Sequence, residues 1–299
     1  MEITDIIDLI EPKSARHHKK LKARLRLDDQ VYLARANEFV SKYERILDKD
    51  GLDMDYAVDK YLNMIEEMVY EQIQFVSSGR YRYSSFDEVN RLVYSNEEYM
   101  KPYIHGLLMS QFLWQHHYEI FDFFIERIKK HPSKINRYLE IGGGHGLFIN
   151  WAYDLCSDGN NSFTCLDISQ SSLDLCKNFN PGKKLNYVHQ DVFKHEPVEA
   201  YDFISMGEVL EHVEDPIALM QKLHALLTDD GTVFITVPTN AAAIDHIYLF
   251  RNAGEIIEVC EKAGFEVVED FSIYAEDVSV KKAEKFKVSM MYACFLKKK

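Results

Sequence analysis

The sequence is poor in cysteine, and its cysteines are not arranged for a disulfide framework or a thiolate metal site. They are odd in number and scattered, and they form no Cys-x-x-Cys pair: Cys156, Cys165, Cys176, Cys260 and Cys294. Such a set predicts reduced, buried thiols in a cytoplasmic protein. Nothing in the sequence predicts a metal site.

Glycine, proline and long apolar runs are scarce as well. With 13 glycines and 7 prolines in 299 residues, long disordered linkers are not expected. No segment reaches the roughly 20 apolar residues that a membrane-spanning helix needs. The acidic start, Met1 to Asp5, lacks the pattern of a signal peptide. The sequence therefore predicts a globular protein without a membrane span.

Positive charge is in deficit, except in one segment. The 35 lysines and arginines are outnumbered by 48 aspartates and glutamates, which gives a formal net charge of −13. A phosphate backbone is repelled by such a field, so no nucleic-acid partner is expected. We interpret the basic run from Lys13 to Arg26 as a solvated helix face or mobile arm. A nucleic-acid or membrane-surface role is the alternative, although no aromatic residues interleave the run.

The N-terminal part of the chain has helical periodicity. Asp53 is predicted to cap a helix whose apolar residues recur at helical spacing. Capping boxes at Ser85–Glu88 and Ser95–Glu98 predict two further helix starts. Pro102 predicts a helix bend or break. A long aromatic helix is expected to follow, from about Leu107 to Lys130.

After Pro132 short apolar runs alternate with helical stretches. Seven runs have the length of strands: Tyr138–Ile141, Ser162–Ile168, Asn186–His189, Tyr201–Met206, Thr232–Val237, Glu266–Ile273 and Met290–Leu296. This alternation predicts a doubly wound, Rossmann-like α/β fold with a seven-stranded, mostly parallel sheet and an antiparallel ending. We therefore predict a helical domain over residues 1–131 and an α/β domain over residues 132–299.

A glycine loop follows the first predicted strand. Glu140 stands at its head, and Gly142, Gly143, Gly144 and Gly146 let the chain turn sharply and let a ligand approach the main chain. A dinucleotide fingerprint would need glycine or alanine three places after its second glycine, where this sequence has Leu147. No Gly-Lys-Ser/Thr follows, so the loop is not a P-loop either. The spacing therefore disfavours a dinucleotide oxidoreductase.

The next two strands also end in acidic residues. Asp167 is placed to accept hydrogen bonds from both ribose hydroxyls of an adenosyl ligand. Asp191 is placed to receive the adenine amino group, with Ile168 and Val192 on the two faces of the ring. Although one such acid is usually a turn residue or helix cap, three beside a glycine loop predict an adenosyl-binding site.

With these motifs in view, residues from about 132 to 299 resemble the class I S-adenosylmethionine-dependent methyltransferases, in particular the branch that includes quinone-biosynthesis O-methyltransferases. The motifs occur in that family's order: LEIGGGHG, LDIS, QDV, YDFISMGEVLEHVEDP, LLTDDGTVFITVP and AGFEVVE. The resemblance implies S-adenosylmethionine as cofactor. It places Glu140 and the loop glycines around the methionine part, Asp167 at the ribose, Asp191 at the adenine, and Gly207 and Glu208 beside the sulfonium.

The resemblance implies a transferase that moves a methyl group to an oxygen or nitrogen nucleophile of a small molecule by in-line displacement. A hydroxyl or ammonium nucleophile must lose a proton, and histidine is the usual base near neutral pH. His246 follows the fifth strand and is our first candidate for this base. His212 follows the fourth strand and is the second candidate.

The helical region is predicted to form a lid over the acceptor pocket. Its candidate lining residues are Tyr81, Tyr83, His105, His116 and His117, and Tyr248 is a further candidate from the α/β domain. Two alternatives remain open: another reaction that consumes S-adenosylmethionine, by aminobutyryl transfer or cyclisation, and a non-catalytic subunit that binds the cofactor for a partner. The sequence also leaves open whether the chain forms a homo-oligomer.

Overall fold

A computed structural model describes residues 1–130 and 135–299 of the chain. The predicted domain boundary at residues 131 and 132, including Pro132, lies outside the described residues. No helix in the described ranges is long and apolar enough to cross a membrane. All five cysteines are buried and free of disulfides, as predicted.

The described N-terminal residues form helices. They are α1 (Ile3–Ile10), α2 (Ala15–Arg24), α3 (Gln30–Asp50), α4 (Met54–Ser78), α5 (Phe86–Val89), α6 (Glu97–Leu113) and α7 (Gln115–Lys130). Asp53 caps α4 as predicted, since its Oδ1 accepts a hydrogen bond from the Tyr56 amide at 2.8 Å. Helices α5 and α6 begin where the two capping boxes were predicted, but the boxes themselves are not formed. Ser85 makes no side-chain cap hydrogen bond to the described residues, and the N-cap of α6 is Asn96 rather than Ser95.

One prediction about α6 and α7 is wrong in part, and another is wrong. Pro102 does not break the helix, because the only acceptor it leaves without its amide is the carbonyl of Glu98, an exposed residue in the first turn of α6. A bend at Pro102 stays a prediction. The predicted helix from Leu107 to Lys130 is instead broken at Trp114, whose backbone is extended (φ −109°, ψ 119°). There the indole Nε1 donates to the Tyr61 hydroxyl at 2.9 Å, a tertiary contact that local periodicity does not reveal.

The C-terminal part is a seven-stranded sheet. Its strands are β1 (Arg137–Ile141), β2 (Ser162–Asp167), β3 (Leu185–His189), β4 (Tyr201–Gly207), β5 (Leu227–Thr239), β6 (Phe265–Tyr274) and β7 (Met290–Lys298). Their order is β3-β2-β1-β4-β5-β7-β6. Strands β1 to β5 pair in parallel, and β7 is antiparallel to both β5 and β6. The predicted fold class, including its antiparallel ending, is confirmed.

Helices pack on both faces of this sheet. Those that follow β1 are α8 (Leu147–Cys156), α9 (Gln170–Phe179), α10 (Pro216–Leu226), α11 (Ala253–Lys262) and α12 (Val280–Phe286). The chain leaves β1 toward β2 on one side and returns to β4 on the other, so the strand order reverses between β1 and β4. Ligands of open α/β sheets bind at the carboxyl ends of the strands beside such a reversal.

Helix α7 also belongs to the layer that covers the sheet. The ring of Phe124 on α7 lies 4.9 Å from the ring of Phe148 on α8 and 4.9 Å from that of Phe234 on β5. One apolar core therefore runs from the N-terminal helices onto the sheet without a break. The division into domains at residue 131 stays a prediction.

Candidate active site

A cavity of about 850 Å³ lies where the strands end, between the sheet and the N-terminal helices. Its lining includes every predicted cofactor residue except Gly146: Glu140, Gly142, Gly143, Gly144, Asp167, Ile168, Asp191, Val192, Gly207 and Glu208. Cavities of this size, with a few convergent polar groups, are typical of small-molecule sites.

The glycine loop turns so that its main chain faces the cavity. Gly144 has a left-handed backbone (φ +51°), and its amide donates to Asp167 Oδ2 at 3.0 Å. Gly146 precedes α8 with φ +71° but faces away from the cavity, because a side chain there would meet Cys176 and Asn180 of the neighbouring helix region. Gly146 is thus required for packing.

Asp167 is buried at the end of β2. Besides the Gly144 amide, it accepts the Ser169 amide on Oδ1 at 2.8 Å. Burial raises the pKa of this carboxyl, while the backbone donors oppose the rise. Each carboxylate oxygen can accept a second hydrogen bond, so both remain available to a ligand in the cavity.

Two further buried carboxyl groups in the cavity lining would be stabilised in their charged form by a cationic ligand. Glu140 is buried beside the hydroxyl of Tyr138, which donates to Oε2 at 3.0 Å, and burial raises its pKa to about 8. Glu208 has a left-handed backbone (φ +53°) and accepts the Thr236 hydroxyl at 2.7 Å, and burial raises its pKa to about 7. A cationic ligand, such as one with an ammonium and a sulfonium, would relieve both penalties. The residues present therefore fit S-adenosylmethionine.

Asp191 has a structural task as well as a place in the cavity lining. Its Oδ1 accepts the Phe193 amide at 2.9 Å and caps the short 3₁₀ turn Val192–Lys194. Ile168 and Val192 line the same part of the cavity. The predicted adenine role of these residues stays a prediction.

The two predicted catalytic histidines lie together in the cavity wall. Their rings are 4.8 Å apart and nearly perpendicular. His246 Nδ1 lies 2.7 Å from the carbonyl oxygen of Ala241, and His212 Nδ1 lies 2.8 Å from that of Asp245. A carbonyl oxygen only accepts, so each Nδ1 donates its N–H, and in the neutral form of each imidazole Nε2 keeps its lone pair.

Both Nε2 lone pairs face the side chain of Glu211. Glu211 Oε1 lies 3.6 Å from His212 Nε2 and 3.9 Å from His246 Nε2. The residue is 1% exposed, and neither carboxylate oxygen has a hydrogen-bond partner among the described residues. Burial, together with the charges on Glu208 and Asp245, raises the pKa of Glu211 well above its ordinary value. One ligand atom from each of the three side chains can be chosen so that all lie within 4.8 Å of one another.

No sequence motif assigned a role to Glu211, and no metal site was predicted from the sequence. The available signal was the spacing Glu208-x-x-Glu211-His212 directly after β4. Its partner His246 lies in another loop, which is held to the first because the carbonyl of Glu211 accepts the amides of Ile247 and Tyr248 at 3.0 and 2.9 Å.

The N-terminal helices brace this cluster through Asp245. The Tyr94 hydroxyl lies 3.3 Å from Asp245 Oδ2 and 2.9 Å from His212 Nδ1. The Tyr103 hydroxyl donates to Asp245 Oδ1 at 3.5 Å. Residues that no sequence motif singled out therefore help to fix His212.

The predicted acceptor-pocket residues divide into two groups. His116 and His117 line the cavity. Tyr81, Tyr83, His105 and Tyr248 are not part of its lining. Tyr81 lies behind His246, with its ring edge-on at 5.9 Å, and the His105 ring is bonded to Tyr43 at 2.7 Å. Tyr248 packs on Phe250, and Tyr83 packs against the apolar core.

Fold and cavity together define a Rossmann-like α/β protein with a large cavity at the strand ends. The chain belongs to the methyltransferase family, because a family profile described as a methyltransferase domain matches residues 113–270, more than half of its length. The predicted family is thus confirmed, and with it S-adenosylmethionine as the cofactor.

A curated relative gives a similar result at lower coverage. The ubiquinone biosynthesis O-methyltransferase of Vibrio vulnificus (strain YJ016) is 29% identical over 127 residues, which are 41% of this chain and 52% of that protein. The chain thus spans about half the length of the curated relatives that it matches.

Two solved structures share the fold. N-methyltransferase NodS from Bradyrhizobium japonicum WM9, in complex with S-adenosyl-L-homocysteine, superposes with a TM-score of 0.52 at 14% identity, over 72% of this chain and 99% of that chain. The mitomycin 7-O-methyltransferase MmcR superposes with a TM-score of 0.54 at 10% identity, over 82% of this chain and 70% of that chain. At such identities the likeness establishes the fold alone.

Proposed function

We propose that this chain transfers the methyl group of S-adenosylmethionine to a hydroxyl oxygen of a small molecule, assisted by a divalent cation held by Glu211, His212 and His246. The observation that carries the proposal is the buried, unpartnered carboxylate of Glu211 between two imidazole lone pairs. Without a cation or a proton, three electron-rich groups would face one another there.

The cofactor would be held by the strand ends of β1, β2 and β4. Asp167 has acceptor sites left for ribose hydroxyls, and Glu140 is a buried carboxylate suited to an ammonium group. When bound, the cofactor supplies a methyl group on a sulfonium whose leaving group is neutral and needs no acid. The chain must therefore align the nucleophile, exclude water and manage the proton of the acceptor.

The need to remove the proton of the acceptor hydroxyl favours a metal cation over a histidine base acting alone. Burial lowers the pKa of His246 to about 4, so the imidazole is neutral but a weak base. A phenolic hydroxyl has a pKa of about 10, some six units higher, which leaves a large mismatch for direct proton transfer. A divalent cation supplies Lewis acidity, which favours the ionised form of a hydroxyl.

The ligand set also suits a cation. Two imidazoles and one carboxylate are a common donor set for first-row divalent metals. Both histidines donate their other ring nitrogen to a backbone carbonyl, the second interaction by which metal-bound histidines are usually oriented. The predicted base, His246, becomes a ligand in this proposal, and His212 becomes its partner.

A chelation experiment tests the proposal. Full-length protein dialysed against a chelator is expected to bind S-adenosylhomocysteine as before, because no cofactor residue would be lost. It should no longer form methylated product from an extract supplied with labelled S-adenosylmethionine, until Zn²⁺, Mn²⁺ or Mg²⁺ is added back. Full turnover by metal-free protein would contradict the cation, and a product carrying an aminobutyryl group would contradict methyl transfer.

Replacing Asp167 by alanine tests the cofactor site. The affinity for S-adenosylhomocysteine, measured by titration calorimetry, should fall roughly tenfold or more, because a charge-assisted hydrogen bond is worth about 1.5–3 kcal/mol. Asp174→Ala is the control, since Asp174 lies exposed on α9 and, among the described residues, its side chain bonds to that of Gln170 alone. Equal affinity in both folded variants would mean that Asp167 does not hold the ribose.

The helical region is proposed to enclose the acceptor, as the sequence predicted. It supplies cavity-lining residues from α2, α4, α6 and α7, among them Leu21, Met68, Ile104 and His117. Closure of such a lid would keep water away from the reacting groups.

A further inference from the structure

One face of the basic run lines the active-site cavity. His17, Lys20, Leu21 and Arg24 on α2 are all part of the lining, and their spacing of three, four and seven residues places them on one side of the helix. The other cations of the helix, Arg16, Lys19 and Lys22, lie exposed on the remaining surface. The run is thus a solvated face only on its outer side.

Lys20 and Arg24 carry more positive charge than their surroundings neutralise. Lys20 Nζ lies 2.5 Å from Glu276 Oε1, and Arg24 Nη1 lies 3.6 Å from Glu276 Oε2. Arg24 Nη1 also donates to the carbonyl of Ala275 at 2.6 Å, whereas its Nε is buried and has no hydrogen-bond partner among the described residues. Two cations therefore share one carboxylate, and a buried donor is left over.

The neighbouring polar side chains do not compensate this charge. Burial lowers the pKa of His17 to about 4, with a further contribution from Lys20. Burial, His117, Arg24 and Lys20 lower the pKa of His116 well below its ordinary value. Both rings are therefore neutral at pH 7. The end of the cavity at α2 is cationic, in a protein whose net charge is −13.

This cationic end lies at the same edge of the sheet as the group of Glu211, His212 and His246, called the Glu211 cluster, but at some distance from that cluster. Glu276 follows β6. Strands β5 and β6 are both antiparallel to β7, and β4 is parallel to β5, so the carboxyl ends of β4 and β6 lie at the same edge of the sheet. Three strand spacings separate β4 from β6 in the sheet order, which corresponds to about 14 Å. The cavity that contains both groups has a largely apolar wall, with Ile65, Met68, Ile104 and Leu107 among its residues.

We propose that Lys20 and Arg24 bind an oxyanion of the methyl acceptor, a carboxylate or phosphate, while its hydroxyl lies at the Glu211 cluster. This inference rests on the proposed function and narrows its substrate class to elongated molecules with an acidic group, an apolar body and a hydroxyl. Arginine suits such a group because its guanidinium presents paired donors to two oxygens. In the absence of the acceptor, Glu276 forms ion pairs with both cations, and the oxyanion of the acceptor must compete with its carboxylate.

Trp114 provides a readout that does not depend on methyl transfer. It lines the cavity, and its indole Nε1 shares the Tyr61 hydroxyl with His17 Nε2, each at 2.9 Å. The chain has two tryptophans, so Trp151→Phe leaves Trp114 as the only indole fluorophore. Fluorescence titrations of this variant, saturated with S-adenosylhomocysteine, would compare octanoate and octyl phosphate with neutral 1-octanol.

At least one of the two oxyanions is expected to bind at least tenfold more tightly than 1-octanol, and which one binds identifies the group. In the Lys20→Gln/Arg24→Gln background the preference should fall below about twofold. Glu276→Gln should strengthen oxyanion binding several-fold, because the competing carboxylate is gone. Lys19→Gln, on the exposed side of α2, is the matched control and should change nothing.

The proposal is overturned if, before the substitutions, neither octanoate nor octyl phosphate binds more tightly than 1-octanol, or if none of the three probes binds. A preference that survives in the double variant overturns it as well. Thermal melting checks the fold, and if the double variant does not fold, Lys20→Gln alone must lower the preference, since Lys20 is half-exposed. No methyl transfer is measured, so failure here leaves the proposed function standing.

Discussion

Glu211→Gln is expected to abolish divalent-metal binding and, with it, methyl transfer, while S-adenosylhomocysteine still binds. Glutamine keeps the shape of the side chain but replaces one anionic ligand oxygen by an amide group. Loss of even an outer partner of a metal ligand costs about 10–100-fold in affinity, so loss of the ligand itself should cost about a hundredfold or more. Calorimetric titration of full-length protein with Zn²⁺ and Mn²⁺ measures this directly.

The Glu211→Gln variant, which is expected to lose metal affinity, is not expected to lose thermal stability. In metal-free protein the buried carboxyl of Glu211 has no hydrogen-bond partner among the described residues, which costs folding free energy. Glutamine removes the possibility of a buried charge, so the melting temperature of the metal-free variant should equal or exceed that of the parent. A residue that serves only stability would show a lower melting temperature instead.

Glu258→Gln is the control, because it makes the same change of charge at an exposed position of α11 whose ion-pair partner in the described part of the chain is Lys262. If Glu211→Gln keeps full metal affinity, the cation site is wrong. If, in addition, His246→Ala alone removes turnover, His246 acts as the general base that the sequence predicted.

The sheet could be predicted from the sequence because each of its strands is a local apolar run bounded by helix signals. Most of the predicted strands agree with the observed ones to within one or two residues. Strand β5 begins earlier, at Leu227 rather than Thr232, because Leu227 pairs with Tyr201 across an irregularity in the register. That pairing depends on the partner strand and leaves no local pattern.

The helices after Asn96 were predicted less well, for a physical reason. Local periodicity runs through Trp114 without interruption, but the indole binds Tyr61 on α4, and the backbone opens there. Pro102 carries a strong local signal for a helix break, yet the amide it removes would have reached only the carbonyl of Glu98, an exposed residue in the first turn of α6. In both cases contacts distant in sequence, or their absence, outweigh local propensity.

The candidate site likewise has a part that local sequence patterns predict and a part that depends on contacts distant in sequence. The predicted cofactor residues belong to strand ends and their loops, so their placement at one edge of the sheet follows from the fold. The group around Glu211 requires two loops and the N-terminal helices to meet, and Tyr94 and Tyr103 carry no motif. The basic run was predicted correctly on its exposed side only, because periodicity does not reveal what the other side of α2 faces.

Gly144→Val is expected to abolish cofactor binding while the sheet stays folded. The residue has φ +51°, a left-handed conformation that is a marked outlier for a β-branched side chain. Within the described ranges, the nearest atom to a Cβ there, chain neighbours aside, would be the carbonyl oxygen of Gly142 at 3.8 Å, so the core is not disturbed. The backbone must instead relax, which moves the amide away from Asp167 and brings a branched side chain into the loop that would hold the cofactor.

Substitutions at two other glycines distinguish loss of cofactor binding from backbone strain and from steric collision in the core. Gly182→Val imposes a similar backbone strain (φ +78°), and no atom of the described residues beyond its chain neighbours lies within 4 Å of its Cβ. This variant should therefore have a lower melting temperature but bind S-adenosylhomocysteine normally. Gly146→Val should unfold the protein, because its Cβ would collide with Cys176 and lie 2.9 Å from Asn180 Nδ2. Calorimetric titration with S-adenosylhomocysteine and thermal melting distinguish the three variants. Normal binding by a folded Gly144→Val variant would show that this loop does not hold the cofactor, whatever its resemblance to the family.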